Sequence, residues 1–219
     1  MALISIQPRR NLGPIDVLAA ERYDPRRTLD SNSTPAVLLG GVATMVRCVV
    51  QPTAELGRCL VLDTSDAREG VVIARKVPVD GSAIGSAKKV TRAHDVILSR
   101  LRPYLRQVAF VDEEIPHAQG ALLLCSTEFF VLRSPEKRSI AFLVPFLLSR
   151  PVQQVLAAAQ EGGHHPRVGD ATLLTLPVPV ALLDQRDAIS ATIERSVELY
   201  RKSEQGVDEM VARAEAAFT

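Results

Sequence analysis

The chain has 219 residues, of which 47% are hydrophobic, and its 26 Lys and Arg residues are balanced by 25 Asp and Glu residues. This composition excludes intrinsic disorder and low-complexity repeats, because the apolar content can fill a core and the formal net charge is only +1. Every apolar run is far shorter than the roughly 20 residues that a membrane-spanning helix requires. We expect no signal peptide at the N-terminus and a cytoplasmic location.

The cysteine and aromatic content excludes further classes of protein. Cys48, Cys59 and Cys125 lack CxxC spacing, which favours buried free thiols over a disulfide framework or a zinc site. The chain has no Trp and only 4% aromatic residues, so a stacking platform for single-stranded nucleic acid is not expected.

The first half of the chain favours a mixed sheet. Residues 1–35 predict an irregular lead-in cut by prolines, and short β-type runs separated by turn residues follow from residue 37. Residues 95–114 predict two strands around a bend at Pro103. A residue before proline is usually extended, and side chains alternate along a strand, so Arg100 and Arg102 are expected to project together from one face.

Helical patterns dominate the second half. Residues 129–133 predict another strand, and residues 140–160 are apolar at helical spacing with two internal prolines. Pro151 is expected to open the second helical segment, with Ser149 as a possible cap, because proline is tolerated in the first turn. The Gly-Gly pair at 162–163 is expected to end that segment.

The C-terminal segment 184–219 predicts a long helix beside a larger domain at 1–183. Asp184 and Asp187 have the spacing of a capping start. From Ile193, steps of four and three residues select a stripe with one polar member, Glu204, which is typical of a coiled coil. An amphipathic helix that packs on its own domain is the alternative. The predicted subunit-interface residues are Ile189, Ile193, Val197, Tyr200, Val207, Val211, Ala214 and Phe218.

Charge is unevenly distributed along the chain. Residues 68–106 contain nine basic and three acidic residues, whereas residues 184–219 contain five basic and eight acidic residues. A basic block within a nearly neutral chain is typical of a local surface that faces phosphates. A solvated surface rich in Lys and Arg is the alternative at this point.

No catalytic constellation is recognisable. No stretch has the spacing of a phosphate-binding P-loop. His94, Asp95 and Ser99 are the residue types of a triad, but adjacent residues on an extended run point to opposite faces. The His164–His165 pair lacks a nearby third ligand for a metal. The chain is therefore predicted not to be an enzyme, and any catalysis in its system is expected in another chain.

Several stretches, taken in order, resemble the target-recognition domain of type I restriction-modification specificity subunits. The strongest has a turn, then Ser-Arg-Leu-Arg-Pro, then a strand led by a basic residue, and His94 stands where the family usually has glycine. The similar stretches are HDVILSRLRPYLRQVAFV (94–111), TEFFVLR (127–133), FLLSRPVQQVL (146–156), the loop at 162–167, LPVPVALLDQRDAI (176–189), ERYDP (21–25) and LLGGVATMV (38–46). Together they span roughly residues 20–200.

The resemblance implies an α+β fold: a mixed-sheet target-recognition domain followed by a long coiled-coil-type helix. It also implies a non-catalytic subunit that directs a separate adenine methyltransferase, with or without a restriction subunit, to a site on double-stranded DNA. No cofactor is expected in this chain, and S-adenosylmethionine enters only through the methyltransferase. A full-length specificity subunit has two recognition domains and two helices, whereas this chain has one of each. This implies a half subunit that forms a homodimer, or pairs with a second specificity half, through residues 189–218. A single-domain relative that docks on a methyltransferase or another defence component is the alternative.

The candidate DNA-binding residues follow from the basic block and the resemblance. Lys88, Lys89 and Arg92 are expected on phosphates, and Arg100 and Arg102 on phosphates or guanines. A second loop would contribute the remaining candidates, Tyr104, His165 and Arg167. A protein-interaction module of a defence system, which kept the recognition fold without specific DNA binding, is the alternative function.

Overall fold

The computed structural model describes residues 6, 29, 34–115, 118, 120–161 and 166–218. Its strands are short and are joined by turns and single-turn 3-10 helices. The strands are β1 (Ala36–Leu38), β2 (Thr44–Met45), β3 (Val49–Val50), β4 (Arg58–Leu62), β5 (Ala67–Arg68), β6 (Val71–Val72), β7 (Val79–Asp80), β8 (Lys88–Val90), β9 (Val96–Ser99), β10 (Val108–Phe110), β11 (Leu122–Ser126), β12 (Phe129–Arg133), β13 (Gln160–Glu161), β14 (Arg167–Val168) and β15 (Pro177–Pro179). The helices are α1 (Leu143–Leu148), α2 (Arg150–Ala158), α3 (Asp170–Leu174), α4 (Val180–Asp184) and α5 (Arg186–Ala216).

Two sheets form the centre of the fold. One has four antiparallel strands in the order β10-β9-β12-β2, and the other has five strands in the order β3-β8-β11-β4-β7. The five-stranded sheet is mixed, because β11 pairs in parallel with β4 and antiparallel with β8. Three two-stranded ribbons, β1-β15, β13-β14 and β5-β6, complete the described sheets. The predicted α+β fold class with a long C-terminal helix is confirmed.

The side chains of β9 alternate between two apolar layers. Val96 and Leu98 pack in the layer that contains α1 and α2, whereas Ile97 packs with Leu60 and Leu62 of the five-stranded sheet. All five side chains are nearly inaccessible to solvent, and each such burial contributes about 1.5–3 kcal/mol. Because both faces of β9 are held in this way, the loops at its two ends have fixed positions.

The predicted helical segment at 140–160 is two helices, α1 and α2, separated at Ser149. Pro151 lies in the first turn of α2, as expected, but Ser149 makes no capping hydrogen bond through its side chain. The helix ends at Ala158, so the prediction that it continues to the Gly-Gly pair is wrong. The chain instead turns at Ala159 into β13, which pairs with β14.

The long helix α5 has 31 residues and begins at Arg186 rather than at Asp184. Asp184 ends the short helix α4, and the N-cap of α5 is Gln185, which makes no side-chain capping bond, so the predicted capping start is wrong. None of the helices in the described part of the chain is long and apolar enough to cross a membrane.

Two of the three cysteines fit the expectation of buried free thiols. Cys59 and Cys125 are buried, whereas Cys48 is exposed, and all three are free. Burial raises the pKa of the Cys125 thiol to about 12, with the Lys89 ammonium opposing that shift.

Candidate nucleic-acid interface

The loop after β9 presents Arg102 and Tyr104 to solvent. The prediction that Arg102 lies extended on a strand is wrong, since β9 ends at Ser99 and Arg102 has a left-handed backbone with φ 46°. Hydrogen bonds of the following 3-10 turn, such as Leu105 N–H to the Arg102 carbonyl at 2.8 Å, outweigh the usual preference of a residue before proline. Tyr104 is 71% exposed, and Arg102 has no ion-pair partner among the residues that the structure describes.

Arg100, by contrast, is largely held by the fold. Its guanidinium lies 5.1 Å from the centre of the Phe130 ring, and its Nε donates to the Val168 carbonyl at 3.3 Å. Nη2 is 3.9 Å from the carboxylate of Asp170. The backbone N–H of Arg100 donates to the Glu128 carbonyl at 2.8 Å. This arginine therefore positions its loop and keeps only part of its surface accessible.

Arg167 lies beside this loop because β14 runs against it. The backbone N–H of Val168 donates to the Arg100 carbonyl at 3.0 Å, and Leu101 forms an isolated bridge with Arg167. The Arg167 guanidinium binds the Glu128 carboxylate at 2.6 Å. That hydrogen bond holds the pKa of Glu128 below its usual value. Two segments that lie far apart in sequence thus meet at one end of β9.

Lys89 approaches the same place from the five-stranded sheet. Its ammonium donates to the carbonyl of Phe129, the residue that pairs with Ser99 at the end of β9. Burial lowers the pKa of Lys89, and the nearby charge of Arg100 lowers it further. Lys88 is the neighbouring residue on β8 and binds Ser86 instead, so successive lysines point to opposite faces of the strand.

Arg47 joins the group although the sequence patterns did not indicate it. Its guanidinium binds the carboxylate of Asp170, the same residue that Arg100 approaches. We define the basic cluster as Arg47, Lys89, Arg100, Arg102 and Arg167. Two carboxylates, those of Glu128 and Asp170, neutralise it in part, so a local excess of positive charge remains.

Arg92 lies away from the basic cluster. It precedes β9, whereas Arg100 follows it, and a strand of four residues is about 13 Å long. Arg92 lines an open cleft of about 550 Å³ together with Lys137, Arg138 and Glu194. The predicted DNA-binding residues therefore do not form one continuous site.

The turn that leads into β9 is held by a buried ion pair. Asp95 is fully buried and accepts hydrogen bonds from Arg133 Nε at 2.8 Å and Nη2 at 2.7 Å. It also accepts from the Thr91 hydroxyl at 3.1 Å and the Arg92 N–H at 3.0 Å. His94, just before it, has a left-handed backbone with φ 71°, which glycine adopts most easily. Asp95 thus has a structural role in holding this turn.

Two solved structures share this fold. One comes from work on complex assembly and conformational transition of the type I R-M system; it has a TM-score of 0.56 and 25% identity, over 84% of this chain and 48% of the other. The second is the HsdS subunit from Thermoanaerobacter tengcongensis, with a TM-score of 0.53 and 24% identity over the same shares. The fold is that of a type I restriction-modification specificity subunit. No protein-family model matches the sequence, and neither does any curated protein.

The chain spans about half the length of each of these two solved chains, 48% in both cases. The similarity to these two structures confirms, at the level of fold, the resemblance found in the sequence. The left-handed backbone of His94 agrees with it, because the specificity-subunit pattern has glycine at this position. Residues 21–25, which belong to the pattern, and His165 lie outside the described residues.

The predicted interface residues on α5 divide into two groups. Ile189 and Ile193 pack against the core of their own domain, and Val197 is 3% exposed within it. The prediction of a partner contact is wrong for Val197, because an apolar side chain already buried in its own domain has no surface left to share. Tyr200 is partly buried, and its hydroxyl donates to Glu204 at 3.0 Å. The residues left exposed on the stripe are Val207, Val211, Ala214 and Phe218.

Proposed function

We propose that this chain is a non-catalytic DNA sequence-specificity subunit that directs a separate adenine methyltransferase to its target. The observation that supports the proposal most directly is the basic cluster at one end of β9, within the fold of a type I specificity subunit. A local excess of cations attracts phosphates, even though the whole chain has a net charge of only +1.

The residues of the cluster have different proposed roles. Arg102 and Tyr104 project into solvent and would contact DNA directly, Arg102 through a phosphate or bidentately through a guanine. Arg100 and Arg167 are ion-paired or packed and would hold the loop while adding positive charge. Lys89 would contribute positive charge from the neighbouring five-stranded sheet. Lys88 and Arg92 lie outside the cluster and remain predicted phosphate contacts.

A symmetric dimer through the exposed part of α5 completes the proposal. One copy has one recognition domain, so two copies related by a two-fold axis would read the same half-site in inverted orientation. The isolated chain would bind DNA weakly and with strong salt dependence, because few phosphates are neutralised by one small cluster. Tight binding would require the methyltransferase subunits around the duplex.

The test is selection from a random duplex-DNA library, with the chain alone and with its methyltransferase partner, at two salt concentrations. An enriched inverted repeat with a fixed gap is the expected result. No enrichment in either sample, with the partner shown to be bound, would refute the proposal and favour a protein-interaction module. The exposed apolar residues of α5 would then be the surface to study.

Single substitutions sharpen this test. Arg102→Ala should weaken specific binding by about 1–3 kcal/mol and relax the preference at one base position if Arg102 reads a base. If it neutralises a phosphate instead, the slope of log K against log salt should fall by about 0.9 with the base preference unchanged. Arg58→Ala is the matched control, since Arg58 is an exposed arginine on β4, outside the basic cluster. Equal effects of the two variants on DNA binding would show that Arg102 is not part of the DNA interface.

A further inference from the structure

A buried arginine joins α5 to the recognition domain. Arg201 is 2% exposed, and its Nε and Nη2 donate to the two carboxylate oxygens of Asp112 at 3.1 and 2.8 Å. Nη2 also donates to the carbonyl of Val72 at 2.7 Å, and Nη1 donates to Glu204 at 2.7 Å. The guanidinium therefore has partners on β6 and on the loop after β10, as well as on its own helix.

A second, more exposed arginine extends this contact along the helix. Arg75 donates to Glu204 at 3.2 Å and to Asp208 at 2.9 Å. Glu204 also accepts from the Tyr200 hydroxyl, which accounts for a carboxylate on an otherwise apolar stripe. We define the helix-anchoring network as Asp112, Arg201, Glu204, Arg75 and Asp208.

The helix-anchoring network lies where α5 leaves the domain. From Gln205 to Phe218 every residue is exposed, whereas the residues before Arg201 include the buried Val197 and Ser190. The projecting part, 205–216, is about 18 Å long at about 1.5 Å per residue. A bidentate guanidinium–carboxylate pair restricts direction as well as distance, because its two parallel hydrogen bonds require coplanar groups. The network is thus suited to fix the direction in which α5 leaves the recognition domain.

We propose that the helix-anchoring network sets the angle between α5 and the recognition domain, and so sets the gap between the two half-sites that a dimer reads. This inference rests on the proposed function. A tilt of about 10° at a lever of about 18 Å moves the domain by about 3 Å, close to the rise of one base pair. Arg201 and Arg75 are positioning residues in this scheme and touch no base.

The first experiment measures the angle without DNA. Nitroxide labels on the exposed Cys48 and on Ala212→Cys report one distance within a chain, if labelled chains are diluted with unlabelled ones. The wild type should give one narrow distance distribution, and Arg201→Met a distribution at least about twice as broad, since the fork that fixes direction is lost. Lys202→Met is the matched control, because Lys202 is the next residue and forms an exposed ion pair with Glu198. An Arg201→Met distribution as narrow as that of the control would overturn the proposal.

Two further variants keep the result interpretable if Arg201→Met folds poorly. Arg75→Ala removes only the outer, half-exposed part of the network and should broaden the distribution by a smaller amount. Arg201→Lys keeps the charge but loses the planar fork, so the distribution should remain broad. A narrow distribution in both would show that charge or packing alone fixes the helix, and the proposal would be wrong.

The second experiment measures the gap on DNA. In a library with the selected half-sites fixed and the gap varied, the wild type should enrich one gap length, and Arg75→Ala should spread over about three adjacent lengths with unchanged half-sites. Leu124→Ala destabilises a separate core cluster, which Leu124 forms with Cys59 and Ile84, and should keep a single gap. Equal spreading in Leu124→Ala would show that the network only stabilises the fold. Failure of the wild type to enrich any motif would refute the proposed function, while the distance measurement would still decide the role of the network.

Discussion

Replacing Asp95 with Ala should destabilise the domain strongly, because this carboxylate is the centre of the turn into β9. Asp95 is fully buried and accepts two hydrogen bonds from the Arg133 guanidinium, one from Thr91 and one from the Arg92 N–H. Removing one partner of a buried ion pair costs about 3–5 kcal/mol, since the other charge is left without compensation. The Arg133 side chain is 24% exposed, so water can relieve part of this cost.

The expected loss is therefore about 3 kcal/mol from the stranded arginine, and the free Thr91 and Arg92 donors add about 1 kcal/mol or less each. Urea unfolding followed by far-UV circular dichroism at neutral pH would measure the change, with the m-value required to stay constant. Glu113→Gln is the control, because the Glu113–His94 pair is exposed on both sides and should contribute about 0–1 kcal/mol. A loss below about 1.5 kcal/mol for Asp95→Ala would refute the argument that the buried pair carries this turn.

Two other predictions concern the helix surface and the thiols. At high chain concentration, Val211→Asp should shift the proposed monomer–dimer equilibrium towards the monomer in sedimentation experiments, since it places a charge on the exposed apolar stripe. Ala212→Asp, one residue off the stripe, should leave that equilibrium unchanged. A dimer that survives Val211→Asp would exclude this stripe as the interface. Under native conditions at pH 8, alkylation should modify Cys48 but not Cys59 or Cys125, because both are buried and the pKa of Cys125 is raised to about 12. Rapid labelling of all three thiols before unfolding would contradict the described core.

Local patterns were sufficient to predict the fold class, the strand at 129–133 and the long helix. Each is encoded by residues close in sequence: an apolar run of strand-forming residues, or apolar residues that recur at steps of four and three. The capping start at Asp184 failed for a different reason. The Pro-Val-Pro strand β15 and the short helix α4 come first, so the helical turn containing Asp184 is separate from α5.

Contacts between distant segments were not predictable. The Arg201–Asp112 pair joins residues 89 apart, and the Arg47–Asp170 pair joins residues 123 apart. Nothing in the spacing of these residues indicates a partner, because the sheet topology alone brings them together. The conformation of Arg102 was missed for a related reason, since the hydrogen bonds of the 3-10 turn outweigh a modest steric preference.

The first part of the heptad stripe of α5 packs on the chain's own domain, and the second part is exposed. This division limits how strongly two copies could associate in the proposed dimer. Val197 is locked in its own core, and Val211 lies two heptads further on, so both point to nearly the same side of the helix. The chain's own domain therefore covers the first part of the stripe, and among the described residues the segment 205–218 is the part left exposed. Two heptads bury less than the roughly 800 Å² per partner of a stable interface, so this segment by itself supports only a weak dimer. In the proposed assembly, a further subunit that contacts both copies would strengthen both DNA binding and dimerisation.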